Sequence, residues 1–343
     1  MKLNSSDKLK LAVLLIVAWF FLFTAAVFFI VGAFNSNQAM LPVQPIASPA
    51  PKYYRQLDGL PVSQEKMAVK PIAVILENHF EARPVSGLES ASLVYEMVVE
   101  GDITRFLAIF DPEVKAKKIG PVRSVRPFLV ELAEDWGAVL FHAGGSDDAM
   151  YKLTYSDIDN VNEISADGIY FWRDTSRSRP HNLYTSIDLI KRAIQAKEFD
   201  PIADFSPWLF KDDESQESRQ QTASSTEIIV DFLGNPLYQV AYQYNPKAND
   251  YTRYLNGQVH KTDQGIILKT RNIIVQHVKS KILDDYGRRQ INLGGHGLAE
   301  VYQDGKEIFG RWQRVDKRTR FYDLAGKEIE FNRGVIWVEL VFD

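Results

Sequence analysis

Cysteine is absent from all 343 residues. That excludes disulfides, thiolate metal sites, a cysteine nucleophile and a lipid-modified cysteine. A Gly-x-Ser-x-Gly elbow, a Walker loop and a His-Glu-x-x-His pair are also missing, which removes the commonest hydrolase, nucleotide-binding and metalloprotease signatures. No large charge excess is present: 40 Lys+Arg face 44 Asp+Glu, a net charge of -4. A mainly nucleic-acid-binding chain would be basic, so no nucleic-acid partner is expected. Hydrophobic content of 45% and charged content of 24% are those of a globular protein, which excludes a disordered, collagenous or multi-pass membrane chain. The length suggests about two domains.

What is present begins with residues 11–34, which read LAVLLIVAWFFLFTAAVFFIVGAF without a charge. About 20 helical residues span a hydrocarbon core of about 30 Å. Lys2, Lys8 and Lys10 precede the block against Asp7 alone, so the positive-inside rule puts residues 1–10 in the cytoplasm and the rest outside. A cleaved signal peptide is the competing reading, with Val31-Gly32-Ala33 as the small-residue site. The block exceeds the usual 7–15 residue signal core, which favours an uncleaved anchor. Residues 35–52 carry Pro42, Pro45, Pro49 and Pro51 and read as a semi-rigid spacer.

Residues 211–225, KDDESQESRQQTASS, lack large apolar side chains and read as an exposed linker. They divide the remainder into 53–210 and 226–343. The first part mixes apolar strand-like runs (72–76, 138–141) with helix-like spacing (127–136, 187–199), so an α+β domain is expected. The second part offers nine short strand-like runs. Asn256-Gly257 and Asp304-Gly305 are hairpin turns in which both central residues tolerate φ > 0. A sandwich or partly open barrel is expected there.

The candidate site starts from 92–100 and 103–111, a hairpin around Gly101-Asp102. A two-residue turn sets Val98 opposite Arg105 and Glu96 opposite Leu107. Glu96, Val98, Glu100 and Arg105 then share one face. Two carboxylates tuned by an arginine suit acid–base work or binding; a purely structural Glu–Arg–Glu cluster is the alternative. Residues 115–127, KAKKIGPVRSVRP, hold Arg123 and Arg126 with no acid. They read as an anion site or as arginines paired with nearby carboxylates. In 142–146, HAGGS, His142 and Ser146 are ligand-contact candidates, with a helix N-cap as the alternative role of Ser146. Asp147 and Asp148 there would repel an anion. Arg179, His181 and Asn182 in the loop RSRPHN are further contact candidates, and Glu77-Asn78-His79 is equally open. His142 and His181 with Glu96 or Glu100 match no compact metal-ligand spacing, so neither metal nor cofactor is expected.

These segments resemble the YerB-like family of bacterial cell-surface proteins: ENHFEARPVSGL (77–88), VVEGDITRFLAIF (98–110), IGPVRSVRP (119–127), HAGGS (142–146) and RPHNLY (179–184). GRW (310–312) and GVIWVELV (334–341) resemble that family's C-terminal domain. The resemblance covers about residues 55–342. It implies an extracytoplasmic protein but no established activity, because the family is one of unknown function. Its members are often lipoproteins, and this chain has no cysteine to carry the lipid. The expectation is a single-pass, extracytoplasmic binding or accessory protein. Its polar cleft would be built from Glu96, Glu100, Arg105, Arg123, Arg126, His142 and His181. An envelope polymer or envelope protein would be the partner. The alternative is a hydrolase or transferase acting on an anionic or glycan envelope polymer.

Overall fold

The computed structural model describes residues 4–35, 53–202 and 205–343. The proline-rich spacer lies almost wholly outside them. The apolar block lies within one helix, α1 (Ser5–Asn35). Over the described side chains, unbroken in this helix only across 12–28, no helix is long and apolar enough to cross a membrane. Residues 1–50 and 51–343 form two separate units.

In the larger unit, β1 (Ile72–Glu77), β2 (Leu93–Glu100) and β3 (Ile103–Phe110) are buried on both faces along most of their length. α2 (Pro127–Glu134) begins on a proline, whose fixed φ and missing N–H suit a first helical turn. Then follow β4 (Val139–His142), α3 (Asp147–Tyr155), β5 (Asn160–Asn162), α4 (Ile187–Ala196) and α5 (Gln216–Thr222). The second part supplies β6 (Glu227–Val230), β7 (Val240–Asn245), β8 (Asp250–Leu255), β9 (Asn272–Ile282) and β10 (Arg289–Asn292). It ends with β11 (His296–Gln303), β12 (Lys306–Val315), β13 (Arg318–Asp323) and β14 (Ile336–Phe342). Both Asn256-Gly257 and Asp304-Gly305 take positive φ at each position, as the hairpin reading requires.

The β-rich second part is not an independent sandwich or barrel. Eleven strands form one mixed sheet in the order β13-β12-β11-β9-β14-β2-β3-β1-β4-β5, with β10 beside β9. The last strand of the chain, β14, lies between β9 and β2 and is parallel to both. It carries the sheet from the second part into the first. A five-stranded sheet containing β6, β7 and β8 packs on one face of the large sheet, placing Tyr242, Tyr251 and Val240 against Trp337, Phe106 and Val74. α2 and α3 cover the other face with Leu129, Ala133 and Ala149 against Ile75, Tyr95 and Met97. Residues 211–225 are structured: α5 is capped by Ser215 and buries Arg219, which donates to Pro246 O. Polar composition hid this because the helix is held by hydrogen bonds, not by apolar side chains.

Candidate functional site

The hairpin departs from the expected register in one respect that reorganises the site. Met97 faces Arg105, Val98 faces Thr104 and Glu96 faces Phe106, with a bulge between Val98 and Glu100. One extra residue transfers the side chains beyond it to the other face. Glu96 and Glu100 therefore do not share a face around Arg105.

Glu96 points into the layer between the two sheets and is fully buried. Its carboxylate accepts from Asn78 Nδ2 at 2.9 Å, Thr104 Oγ1 at 2.6 Å and the Arg253 guanidinium. Arg253, on β8, also reaches Tyr242 Oη at 3.2 Å and lies against His260. Glu339 of β14 completes this node by accepting from Tyr242. Burial, reinforced by the charge of Glu96, pushes the Glu339 carboxyl up to about 8, so it is protonated at neutral pH. The node is sealed from solvent and ties the two sheets together.

Glu100 joins a second cluster on the opposite face. It accepts from Arg105 Nη2 at 2.9 Å and from Arg126. Burial alone would raise its pKa, but the two guanidinium groups outweigh that and hold the carboxyl below its usual range. Burial, with Arg126 nearby, pulls Arg105 down to about 10; Arg105 also donates to Ser124 O at 2.7 Å. Residues 284–288 close over this end, with Gly101 N donating to Gly287 O at 3.2 Å. Beside the cluster lies a cavity of about 530 Å³. Arg126, Lys152, Arg288 and Arg289 line it together with Glu131, Asp147, Asp148 and Asp284, over Phe128 and Ile291. Ser146 is on its wall and caps α3, accepting from Ala149 N at 3.4 Å.

A third cluster forms where β1 ends. Glu77 is in phase with Ala73 and Ile75 and sits opposite Arg105. Its Oε1 is 3.1 Å from Arg123 Nε and its Oε2 is 3.0 Å from His181 Nδ1. His181 Nε2 lies 3.3 Å from Glu81 Oε2, which is 3.8 Å from His79 Nδ1. The two imidazoles stack at 5.1 Å. The loop carrying His181 is fixed from both sides. Asn182 donates to Asp174 O and Arg177 O, each at 3.1 Å. Arg177 in turn donates to Ala82 O at 2.8 Å and Tyr184 Oη at 2.7 Å.

The expected cleft thus divides. Glu100, Arg105 and Arg126 come together, and Arg123 joins His181 through Glu77. Glu96 belongs to the interior node. His142 is buried, with Nδ1 donating to Gly144 O at 2.8 Å and Nε2 3.4 Å from Asn160 Oδ1. Burial lowers its pKa despite both contacts. It is placed to hold the 142–146 turn, not to meet a ligand. Asn182 organises its own loop, and Arg179 is exposed at the loop tip. Glu81, Arg288, Arg253 and Glu339 were not evident from the sequence. Glu81 had a local signal in the alternation Glu77-x-His79-x-Glu81; the other three are brought in from far along the chain.

Two family models match the chain: "Protein of unknown function (DUF3048) N-terminal domain" over residues 57–200, and the corresponding C-terminal domain over 228–338. "Putative lipoprotein YerB" from Bacillus subtilis (strain 168) is 35% identical over 297 residues, which is 86% of this chain and 88% of that protein. A crystal structure of YerB from Bacillus subtilis is similar with a TM-score of 0.76 and 34% identity, covering 84% of this chain and 97% of that one.

Proposed function

This chain belongs to the DUF3048 family, and from that premise we propose that it is an extracytoplasmic binding module of the bacterial envelope, held at the membrane by residues 11–34. Supporting the anchor are the uncharged 24-residue run, the lysines before it and the exposure of Leu14, Phe21 and Phe28 on α1. A helix with bare apolar side chains on all sides needs a nonaqueous neighbour. A relative described as a "Putative lipoprotein" and the absence of cysteine in this chain favour the same location through a different tether.

The observation that carries the binding role is the cavity of about 530 Å³, because its wall offers both charge signs over an apolar floor. Such a wall suits a polar fragment carrying carboxylate and ammonium groups together, as in an envelope peptide or amino sugar. Acid–base catalysis by the hairpin carboxylates is less well supported. Glu96 has no access to solvent, and Glu100 is kept ionised by two arginines that already occupy both its oxygens.

Two experiments test the reading. Protease added to spheroplasts should remove residues beyond the anchor; full protection would rule out the extracytoplasmic location. Titration of the detergent-solubilised full chain with cell-wall peptide fragments should give saturable binding. Arg288→Ala with Lys152→Ala should weaken it at least tenfold, since each charge-assisted hydrogen bond contributes about 1.5–3 kcal/mol. Unchanged affinity would remove the cavity from the proposal.

A further inference from the structure

The third cluster gathers two imidazoles and two carboxylates in a small space. His181 is set between two carboxylates, Glu77 against Nδ1 at 3.0 Å and Glu81 against Nε2 at 3.3 Å. Glu77 is buried behind the ring, at ion-pair distance from Nδ1. The His79 ring stacks on His181, so two imidazoles and the Glu81 carboxylate meet at one place.

We propose that His79, Glu81 and His181 bind a divalent transition-metal ion of the zinc type, with Glu77 orienting His181 from behind. One ligand atom from each of the three residues lies within 4.8 Å of the others. Metal–nitrogen bonds of about 2.0–2.1 Å and metal–oxygen bonds of about 2.0–2.2 Å in a tetrahedral shell put ligand atoms roughly 3.3 Å apart. The His181–Glu81 separation already has this value, and the Glu81–His79 separation of 3.8 Å exceeds it only modestly. The long bond from Glu81 N to His79 Nδ1, 3.3 Å, is the contact that yields when His79 turns its lone pair to the ion.

The ligand set is two imidazoles and one carboxylate, which suits zinc among common divalent ions and excludes a calcium-type oxygen cage. A carboxylate behind a metal-bound histidine orients the ring and raises its basicity. Glu77 occupies that position, and Arg123 at 3.1 Å fixes the second Glu77 oxygen. Three protein ligands leave a fourth position, and Glu81 is 59% exposed on its side chain, so the ion would present that position to solvent or to a ligand. The pattern lies on one strand end and one loop, residues 77–81 and 181, whose meeting is fixed by the Arg177 contacts to Ala82 and Arg83. This inference stands apart from the cavity next to Arg126.

The test uses full-length protein in detergent, without a polyhistidine tag, stripped with EDTA and titrated with Zn²⁺ by calorimetry. One ion per chain should bind with a dissociation constant at or below the micromolar range. His79→Ala combined with His181→Ala should weaken uptake at least 100-fold, and Glu77→Gln by about 10–100-fold. His277→Ala with His296→Ala, two histidines near each other elsewhere on the surface, should leave it unchanged. His79→Gln alone, at a partly exposed position, is the check should the double variant unfold, and it should still lose at least tenfold. Absence of stoichiometric uptake, retention of full affinity in the folded His79 variants, or loss confined to the His277/His296 variant would each overturn the assignment.

Discussion

Arg253→Met is the most informative single perturbation of the fold. The guanidinium is buried, meets Glu96 and Tyr242, and lies 4.3 Å from the centre of the Trp337 ring. Methionine preserves most of the length and the apolar contact but removes the charge. The Glu96 carboxylate loses its guanidinium partner and is left in the interior with Asn78 and Thr104, beside a second carboxyl, Glu339. Removing one partner of a buried pair costs about 3–5 kcal/mol. At roughly 2 °C per kcal/mol for a unit of this size, the melting temperature should fall by about 6–10 °C. Thermal unfolding followed by circular dichroism at pH 7 reads this directly. Adding Glu96→Gln and Glu339→Gln to the same chain should recover most of the loss, because a fully neutral replacement of a buried ionic cluster is often close to neutral in stability. A cost below about 1 kcal/mol for Arg253→Met, or no recovery in the triple variant, would refute the view that this node joins the two sheets.

Other outcomes follow from the same contacts. Glu339 is lifted to about 8 from an ordinary 4.5, and Asp135 to about 7, in both cases chiefly by burial. Such groups add stability below their unfolded pKa values and lose it as pH rises through the folded ones. Melting temperature should therefore decline from pH 5 to pH 9, with a shallower slope in Glu339→Gln; an identical slope in that variant would contradict the protonated state. Glu100 has the opposite sign. Glu100→Gln should destabilise the protein at pH 7, and the gap in urea midpoint from wild type should narrow as pH falls below about 4.5. Gly144 has φ +64°, and an added Cβ would lie 2.5 Å from Ile164 Cδ1. Gly144→Ala should cost about 1–3 kcal/mol in denaturant unfolding; a smaller loss would mean that the turn relaxes freely.

Much of the architecture was legible in local pattern. The hairpin strands, the turns at Asn256-Gly257 and Asp304-Gly305 and the amphipathic α4 follow from alternation, turn chemistry and helical spacing. What escaped was long-range. Nothing in residues 334–342 reveals that β14 will lie beside β2, so the second part read as a separate domain. The site was half legible for a related reason. Glu100, Arg105 and Arg126 were grouped correctly by chemistry. The bulge after Val98 then reversed the expected partnership of Glu96, and an interior arginine more than 150 residues away took it over. His142 looked available because glycines follow it, whereas those glycines serve the turn that buries its ring. Residues 211–225 looked like a linker because their order depends on polar contacts.

The proposed recognition site is the mixed-charge cavity beside Glu100 and Arg126. Hydrogen–deuterium exchange on the full chain, with and without saturating cell-wall peptide fragments, locates the contact without assuming a residue. Exchange should slow in 126–131, 146–152 and 283–291 upon binding. Protection confined to the five-stranded sheet, or to residues distant from these three segments, would contradict it.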